Sequence, residues 1–430
     1  MPTLTNEKLI KYLAVTVTVA VCVRRLATAV FSIANGLALL LVLYLWHQNK
    51  YRLNLSDEAK GYMKAYLIFV LLLLPSVFVS DKPLVSLKDY LNFIVWRYGN
   101  ILFIAIMAFI KRRDYLVNML TALLLTTTID CLLAAPQSLL NMGQGGRGWG
   151  LGGNSLYLSG ILCMVLPAAL VIALDPAFEK RLKKAAYCVV AAIPVGLIFN
   201  NSRSAWLTEV LVIPPTVFKY VRQQKKYLVI FALVLVGITA FMAAKPVYMA
   251  RILTIPSTFT NSSHDLRGLM WKHTVSIIQD HPVAGVGLGR FEETYEGLRS
   301  KKIETIKKQI QQAKEAAKKK PKAALKKPPK LDMPNLSHAH NNFLQLTAET
   351  GFTGLAGFVY FCGYVLFTSL KNYRKNHNPC DKLIFIVFLS NVVLMGAFDV
   401  TFFMSPGMSF MVFLIAVLLQ MKTTKKLDNM

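Results

Sequence analysis

Residues 153–174 read GNSLYLSGILCMVLPAALVIAL, twenty-two positions without one charged side chain. At about 1.5 Å of rise per residue, a helix of that length crosses the roughly 30 Å hydrocarbon core of a bilayer. Eleven further apolar runs lie at about 9–23, 27–46, 61–80, 91–110, 115–134, 185–200, 205–221, 227–244, 352–370, 383–399 and 407–421. The 430 residues are 54% hydrophobic and only 17% charged, with mean hydropathy +0.45. Soluble domains carry about 25% charged residues. Those values exclude an ordinary soluble enzyme and a disordered chain. In lipid each backbone polar group must be satisfied internally, and no barrel-like alternation is seen. The expected fold is an all-α polytopic membrane protein with about twelve transmembrane helices.

Charge sets the expected orientation. Lysines and arginines number 49 against 22 acids, a formal net charge of +27. Basic residues follow every even-numbered run: Lys50, Arg52 and Lys60; Lys111, Arg112 and Arg113; Lys180, Arg181, Lys183 and Lys184; Arg222, Lys225 and Lys226; Lys371, Arg374 and Lys375; and Lys422, Lys425 and Lys426. Short basic loops stay in the cytoplasm. Both termini are therefore expected inside, and loops 81–90, 135–152, 201–204, 245–351 and 400–406 outside. Arg24-Arg25 is the exception among the short loops. It also ends the first run without a small-residue cleavage site, so no cleavable signal is expected. Cys22, Cys131, Cys163, Cys188, Cys362 and Cys380 show neither a CxxC pair nor regular spacing, which excludes a disulfide framework or zinc ribbon.

Three domains are expected: 1–244 with helices one to nine, an outward domain at 245–351, and 352–430 with the last three helices and a cytoplasmic C-terminus. The outward segment is too long for a simple loop. Leu266, Leu269, Met270, Ile277 and Ile278 predict a helix over 265–280, with Asp265 as its cap. The following Gly285-Val286-Gly287-Leu288-Gly289 comes after a helix rather than a strand, which argues against a dinucleotide loop. The tract 301–330 holds twelve lysines and two glutamates, ten charges of the net +27. Ile303, Ile306, Ile310 and Ala313 predict a helix with a thin apolar stripe up to Pro321, then a flexible connector. Such a tract either faces anionic lipid or is a solvated insertion. No nucleic-acid partner is expected.

Several outward residues are candidates for chemistry. Arg203, in Asn200-Asn201-Ser202-Arg203-Ser204, sits at the tip of a tight outward hairpin. It either lines a ligand cavity or snorkels to headgroups. Arg267 lies in the first turn of the 265–280 helix, where backbone N–H groups already favour an anion. It either holds such an anion or pairs with Asp265. His338 and His340, with Asn341, precede the tenth helix. A histidine titrates near neutral pH and can act as general base without a metal, or it can serve structure. No aspartate or cysteine lies near the pair with ligand spacing, so no metal site and no cofactor are expected. Arg147 is a weaker anion candidate. Asp130 and Asp399 are acids near outward helix ends and need partners at that depth. Gly351, Gly354 and Gly357 allow close helix packing. His264, His273 and His281 show no spacing for a shared site.

Taken together, these pieces resemble the O-antigen ligase family of bacterial polytopic glycan transferases, which also includes O-antigen polymerases and protein O-oligosaccharyltransferases. His340-Asn341, nine residues, then Gly351-Phe352-Thr353-Gly354 is similar to the ligases' C-terminal hallmark. Arg267…Trp271…Asp280-His281-Pro282-Val283-Ala284-Gly285-Val286-Gly287 resembles the family's outer-domain segment, and Asn201-Ser202-Arg203-Ser204-Ala205 its arginine-bearing hairpin. Asp399 falls where the family has an acid near the end of the eleventh helix. The lysine tract departs from the pattern.

The resemblance implies a GT-C-like architecture in the bacterial inner membrane, with the active site facing the periplasm. It implies an undecaprenyl-pyrophosphate-linked glycan as donor and a hydroxyl of lipid A–core as acceptor. His340 would be the general base. Arg203 and Arg267 would hold the pyrophosphate, and the anomeric centre would invert. His338, Asn341, Arg147 and Asp399 are the further substrate-binding candidates, and Glu349 is another residue that would orient the base. A polymerase or a protein glycosyltransferase would use the same donor. A twelve-helix transporter is the non-enzyme alternative, but its two related halves are not evident.

Overall fold

The computed structural model describes residues 2–23, 28–94, 99–142, 146–253, 266–319, 331–335, 337–402 and 405–424. Arg24-Arg25, His264, Asp265 and residues 320–330 of the lysine tract lie outside the described residues. Every regular element among the described residues is a helix. Seven are long and apolar enough to cross a membrane: Ala29–Gln48, Asp57–Val79, Arg113–Leu139, Ser155–Leu174, Lys180–Asn200, Asn342–Asn376 and Pro379–Ala397. Asn100–Phe109 and Gly407–Thr423 are shorter apolar helices. The first, eighth and ninth apolar runs fall in Pro2–Val23, Arg203–Gln223 and Lys225–Ala243. The chain is thus an all-helical, multi-pass membrane protein.

Three runs are less regular than their hydropathy. Asp57–Leu73 gives way at Leu74 to the short Pro75–Val79 helix, because a proline cannot donate a backbone N–H. Run 91–110 is not one continuous helix. Gly99, with φ +71°, starts the Asn100–Phe109 helix from a left-handed turn that glycine takes readily. Run 383–399 begins as the Pro379–Phe388 helix, widens to a π-helical turn at Leu389–Leu394 and ends in a 3-10 turn at Met395–Ala397. Such π turns often mark functional sites.

The chain divides into two compact units. One comprises Met1–Ile68, Leu91–Leu253 and Val359–Met430; the other comprises Phe69–Tyr90 and Thr254–Phe358. In the first, Gly196 lets the Lys180–Asn200 helix approach Arg113–Leu139 closely: a Cβ there would meet the Cys131 sulfur at 2.7 Å. One end of this unit carries an ionic cluster. Lys422 reaches Glu58 at 2.7 Å and the fully buried Asp381 at 2.6 Å, and Arg113 bonds Glu179 at 2.6 Å and the Met421 carbonyl at 2.8 Å.

The second unit has its own core of Met270, Ile277, Ile278, Val286, Phe291, Tyr295, Met333, Ala339 and Ala348. It draws on helices Leu266–Asp280 and Phe291–Lys319 and on the start of Asn342–Asn376. The glycine-rich segment threads along that last helix. Val286 N–H donates to the Ala348 carbonyl at 3.0 Å and Gly287 N–H to that of Glu349 at 2.9 Å. At Gly351, with φ +65°, the helix breaks, and Phe352 N–H donates to the Pro282 carbonyl at 2.8 Å. A side chain at Gly285 would overlap the Glu349 backbone, and one at Gly351 the Val283 backbone. The glycines serve close backbone approach. Gly354 and Gly357 pack on Leu72, Leu73 and Phe69.

Candidate functional site

In the second unit the histidine loop is held from two sides. Trp271 Nε1 donates to the Ala339 carbonyl at 2.9 Å, fixing the residue between the two histidines. Gln345 Oε1 accepts from Ala339 N–H at 2.8 Å, and Gln345 Nε2 donates to Glu349 Oε1 at 2.7 Å. Glu349 Oε2 accepts from Gly289 N–H at 3.0 Å. This buried chain joins the glycine segment to the histidine loop. His340 itself has φ +49°, a left-handed conformation uncommon outside glycine. The imidazoles of His338 and His340 lie side by side, with ring centroids 4.2 Å apart, and Ser337 Oγ is 3.0 Å from His338 Nδ1. Both histidines are half-buried.

Asn341 caps the helix that follows: its Oδ1 accepts from Phe343 N–H at 2.9 Å and Leu344 N–H at 3.0 Å. That local duty is sufficient reason for an asparagine after the histidine. Arg267, half-buried, is in the first turn of Leu266–Asp280. Trp271 lies four residues on, so the two share a helix face. The Trp271 bond thus brings the face that carries Arg267 to the histidine loop.

Elsewhere in this unit His273 Nε2 lies 3.3 Å from the Asp332 carbonyl, and Lys302 pairs with Asp332. Burial, the largest effect, holds His273 below the ordinary histidine value, while Lys302 holds the Asp332 carboxyl low. Arg290 spans Asp81 with two bonds, Nε at 3.1 Å and Nη2 at 3.2 Å, and also pairs with Glu293. With Lys82 it draws Glu293 down to about 2.

In the first unit a second constellation surrounds the Asn200–Arg203 corner. Asn201 (φ +53°) ends Lys180–Asn200 in the left-handed conformation, and Arg203 begins the next helix after Ser202. Arg203 is half-buried at a helix start, where unsatisfied N–H groups accompany its own charge. Arg147 Nε donates to the Asn200 carbonyl at 3.0 Å, so the loop 146–153 brings a second arginine to this corner. Asn200 Nδ2 donates to the carbonyls of Gly148 at 3.0 Å and Ser155 at 2.7 Å. Gln137 accepts from the N–H groups of Trp149 and Gly150, and Asp130 from that of Leu151 at 2.8 Å. Asp130 thereby finds its partner in the loop.

Asp399 is fully buried beyond the 3-10 turn, its Oδ1 accepting from Val400 N–H at 3.0 Å. Thr401 Oγ1 bonds the Asn391 carbonyl inside the π-helical turn at 2.8 Å, and Asn391 Nδ2 bonds that of Gly160 at 2.8 Å. Gln137, in the expected loop 135–152, and Asn391, in run 383–399, were not singled out by sequence, since a single amide gives no periodic signal. Glu209 was also missed. It is buried on Arg203–Gln223, and neither carboxyl oxygen has a hydrogen-bond partner among the described residues. Its signal was being the lone acid of run 205–221.

Residues within the two units therefore form an imidazole loop with a nearby arginine-bearing helix, and an arginine-rich helix corner: groups suited to proton transfer and anion binding in a membrane enzyme. Residues 186–359 match the family model described as O-Antigen ligase, a stretch that takes in Arg203, Arg267, His338, His340 and Asn341. Over this stretch the chain is similar to the O-antigen ligase family, and that similarity supports an enzyme of ligase- or polymerase-type glycan transfer. No curated protein matches the chain.

Proposed function

We propose that this protein is a ligase-type transferase that moves a glycan from undecaprenyl pyrophosphate to a sugar hydroxyl of lipid A–core at the periplasmic face of the inner membrane. The supporting observation is the His338–His340 loop, pinned by Trp271 and by the buried Gln345–Glu349 pair. A base must hold its ring still against an incoming hydroxyl, and such second-layer bonds provide that.

His340 takes the proton from the acceptor hydroxyl as its oxygen attacks the anomeric carbon. The bond to the pyrophosphate oxygen breaks with inversion. The leaving pyrophosphate gains negative charge, which Arg203 and Arg267 stabilise as bidentate donors, without a metal. Arg147 assists Arg203, while His338, Asn341 and Asp399 orient substrate. The architecture proposed with this chemistry is GT-C-like: twelve crossings, both termini cytoplasmic, and a periplasmic domain over 245–351 between membrane parts 1–244 and 352–430.

The test is reconstitution with a lipid-linked oligosaccharide, offering lipid A–core, a second lipid-linked chain or a peptide. Glycan on lipid A–core is the expected result; transfer to either other acceptor makes the enzyme a polymerase or a protein glycosyltransferase. His340→Ala should lower transfer about 10²- to 10⁴-fold with normal insertion, the scale of general-base loss. Full transfer by that variant overturns the base role. Activity that vanishes with a chelator and returns with a divalent metal overturns metal independence.

A further inference from the structure

The Phe291–Lys319 helix has two halves of different character. Its first turns belong to the core: Phe291 and Tyr295 are fully buried and stack at 5.9 Å, and Tyr295 OH donates to the Pro334 carbonyl at 3.0 Å. Arg299 donates to the Met333 carbonyl, and Lys302 pairs with Asp332. Beyond Lys302 the side-chain bonds run within the helix: Thr305 to the Lys301 carbonyl, Lys308 to Glu304 at 2.9 Å, and Gln311 to Glu315. From Lys302 to Lys319 this half extends about 25 Å at helical rise.

That half is amphipathic in a specific sense. Ile303, Ile306, Ile310 and Ala313 recur at three- and four-residue spacing and are partly exposed. Lys307 and Lys314, seven residues apart and exposed, run along one edge of the stripe. The two acids, Glu304 and Glu315, lie on the opposite side, each bonded to a neighbour one turn away. The apolar face is thus bordered by cations along one edge, with the acids turned away from it. A helix so divided suits a headgroup region: apolar groups at the acyl boundary, lysine stems snorkelling to phosphates. Five more lysines follow by sequence in 320–330.

We infer that the 303–319 half of this helix docks on the anionic phospholipid surface of the membrane that the same chain spans. Tethering keeps that surface at high effective concentration, so a stripe of four small contacts and a few lysines is enough.

The experiment compares the full-length protein in vesicles of phosphatidylcholine alone and with roughly one-third phosphatidylglycerol. The readout is amide hydrogen exchange of peptides within 303–319, with the core helix Leu266–Asp280 as the folding check. Exchange over 303–319 should slow about tenfold in the anionic vesicles, and high salt should abolish the difference. Lys307→Gln with Lys314→Gln should cut the slowing to about threefold or less, and Ile306→Ser with Ile310→Ser should remove most of it, both with the 266–280 peptides unchanged. Equal exchange in the two vesicles overturns the inference. So does slowing that ignores salt and the lysine substitutions, which points to another part of the chain or a second copy. So does slowing that needs added lipid A, which makes acceptor phosphates the occupant.

Discussion

Trp271 and Ala339 are 68 residues apart in sequence and joined by one hydrogen bond of 2.9 Å, indole N–H to carbonyl. The bond fixes the peptide between His338 and His340 against the helix that carries Arg267. Trp271→Phe keeps most of the ring volume and removes the donor, leaving the Ala339 carbonyl one partner short. Such a loss costs about 1 kcal/mol. Glycan transfer should fall by at least several-fold with melting temperature lowered by only a few degrees. Unchanged turnover would show that the bond does not position the loop.

Gly351 and Gly285 are the two glycines on which the second unit depends most. Both have positive φ, and at both a Cβ would overlap backbone on the facing strand of chain. Gly351→Ala should destabilise the unit by about 1–3 kcal/mol. Gly297, inside the Phe291–Lys319 helix with nothing within 4 Å of its would-be Cβ, is the control. Gly297→Ala should be neutral or stabilising, by up to about 1 kcal/mol. Limited proteolysis over a thermal ramp reads both.

His273 makes the second unit sensitive to acid. Burial lowers its folded pKa below the ordinary histidine value near 6.5, so the unfolded chain binds more protons between the two values. Stability is therefore complete above about pH 6.5 and declines as pH falls from there through the lowered folded value. His273→Gln should flatten this slope in thermal melts between about pH 7 and 5. A slope identical to that of the wild type would mean another group carries it.

Lys422 neutralises two acids, one of which, Asp381, is wholly buried. Lys422→Met strands that carboxylate, and breaking a buried pair costs about 3–5 kcal/mol. The double change Lys422→Met with Asp381→Asn should recover part of the loss, because it also removes the stranded charge. Yield of monodisperse protein in detergent, with its melting temperature, reads the difference.

Sequence by itself determined the membrane class and the helical composition, because lipid admits few ways to satisfy a backbone and long apolar runs declare themselves residue by residue. It also marked Arg203, Arg267, His338 and His340, polar side chains that are conspicuous beside long apolar runs. Other features depended on tertiary structure. That residues 69–90 join the 254–358 segment depends on pairs such as Arg290 with Asp81, 209 positions apart. That Gly351 breaks a helix, and that Arg147 reaches the Asn200 corner, follows from backbone approaches between distant segments. Periodicity reports which face of one helix is apolar. It carries no term for which other segment will lie against that face, and that choice sets where each arginine and imidazole is held.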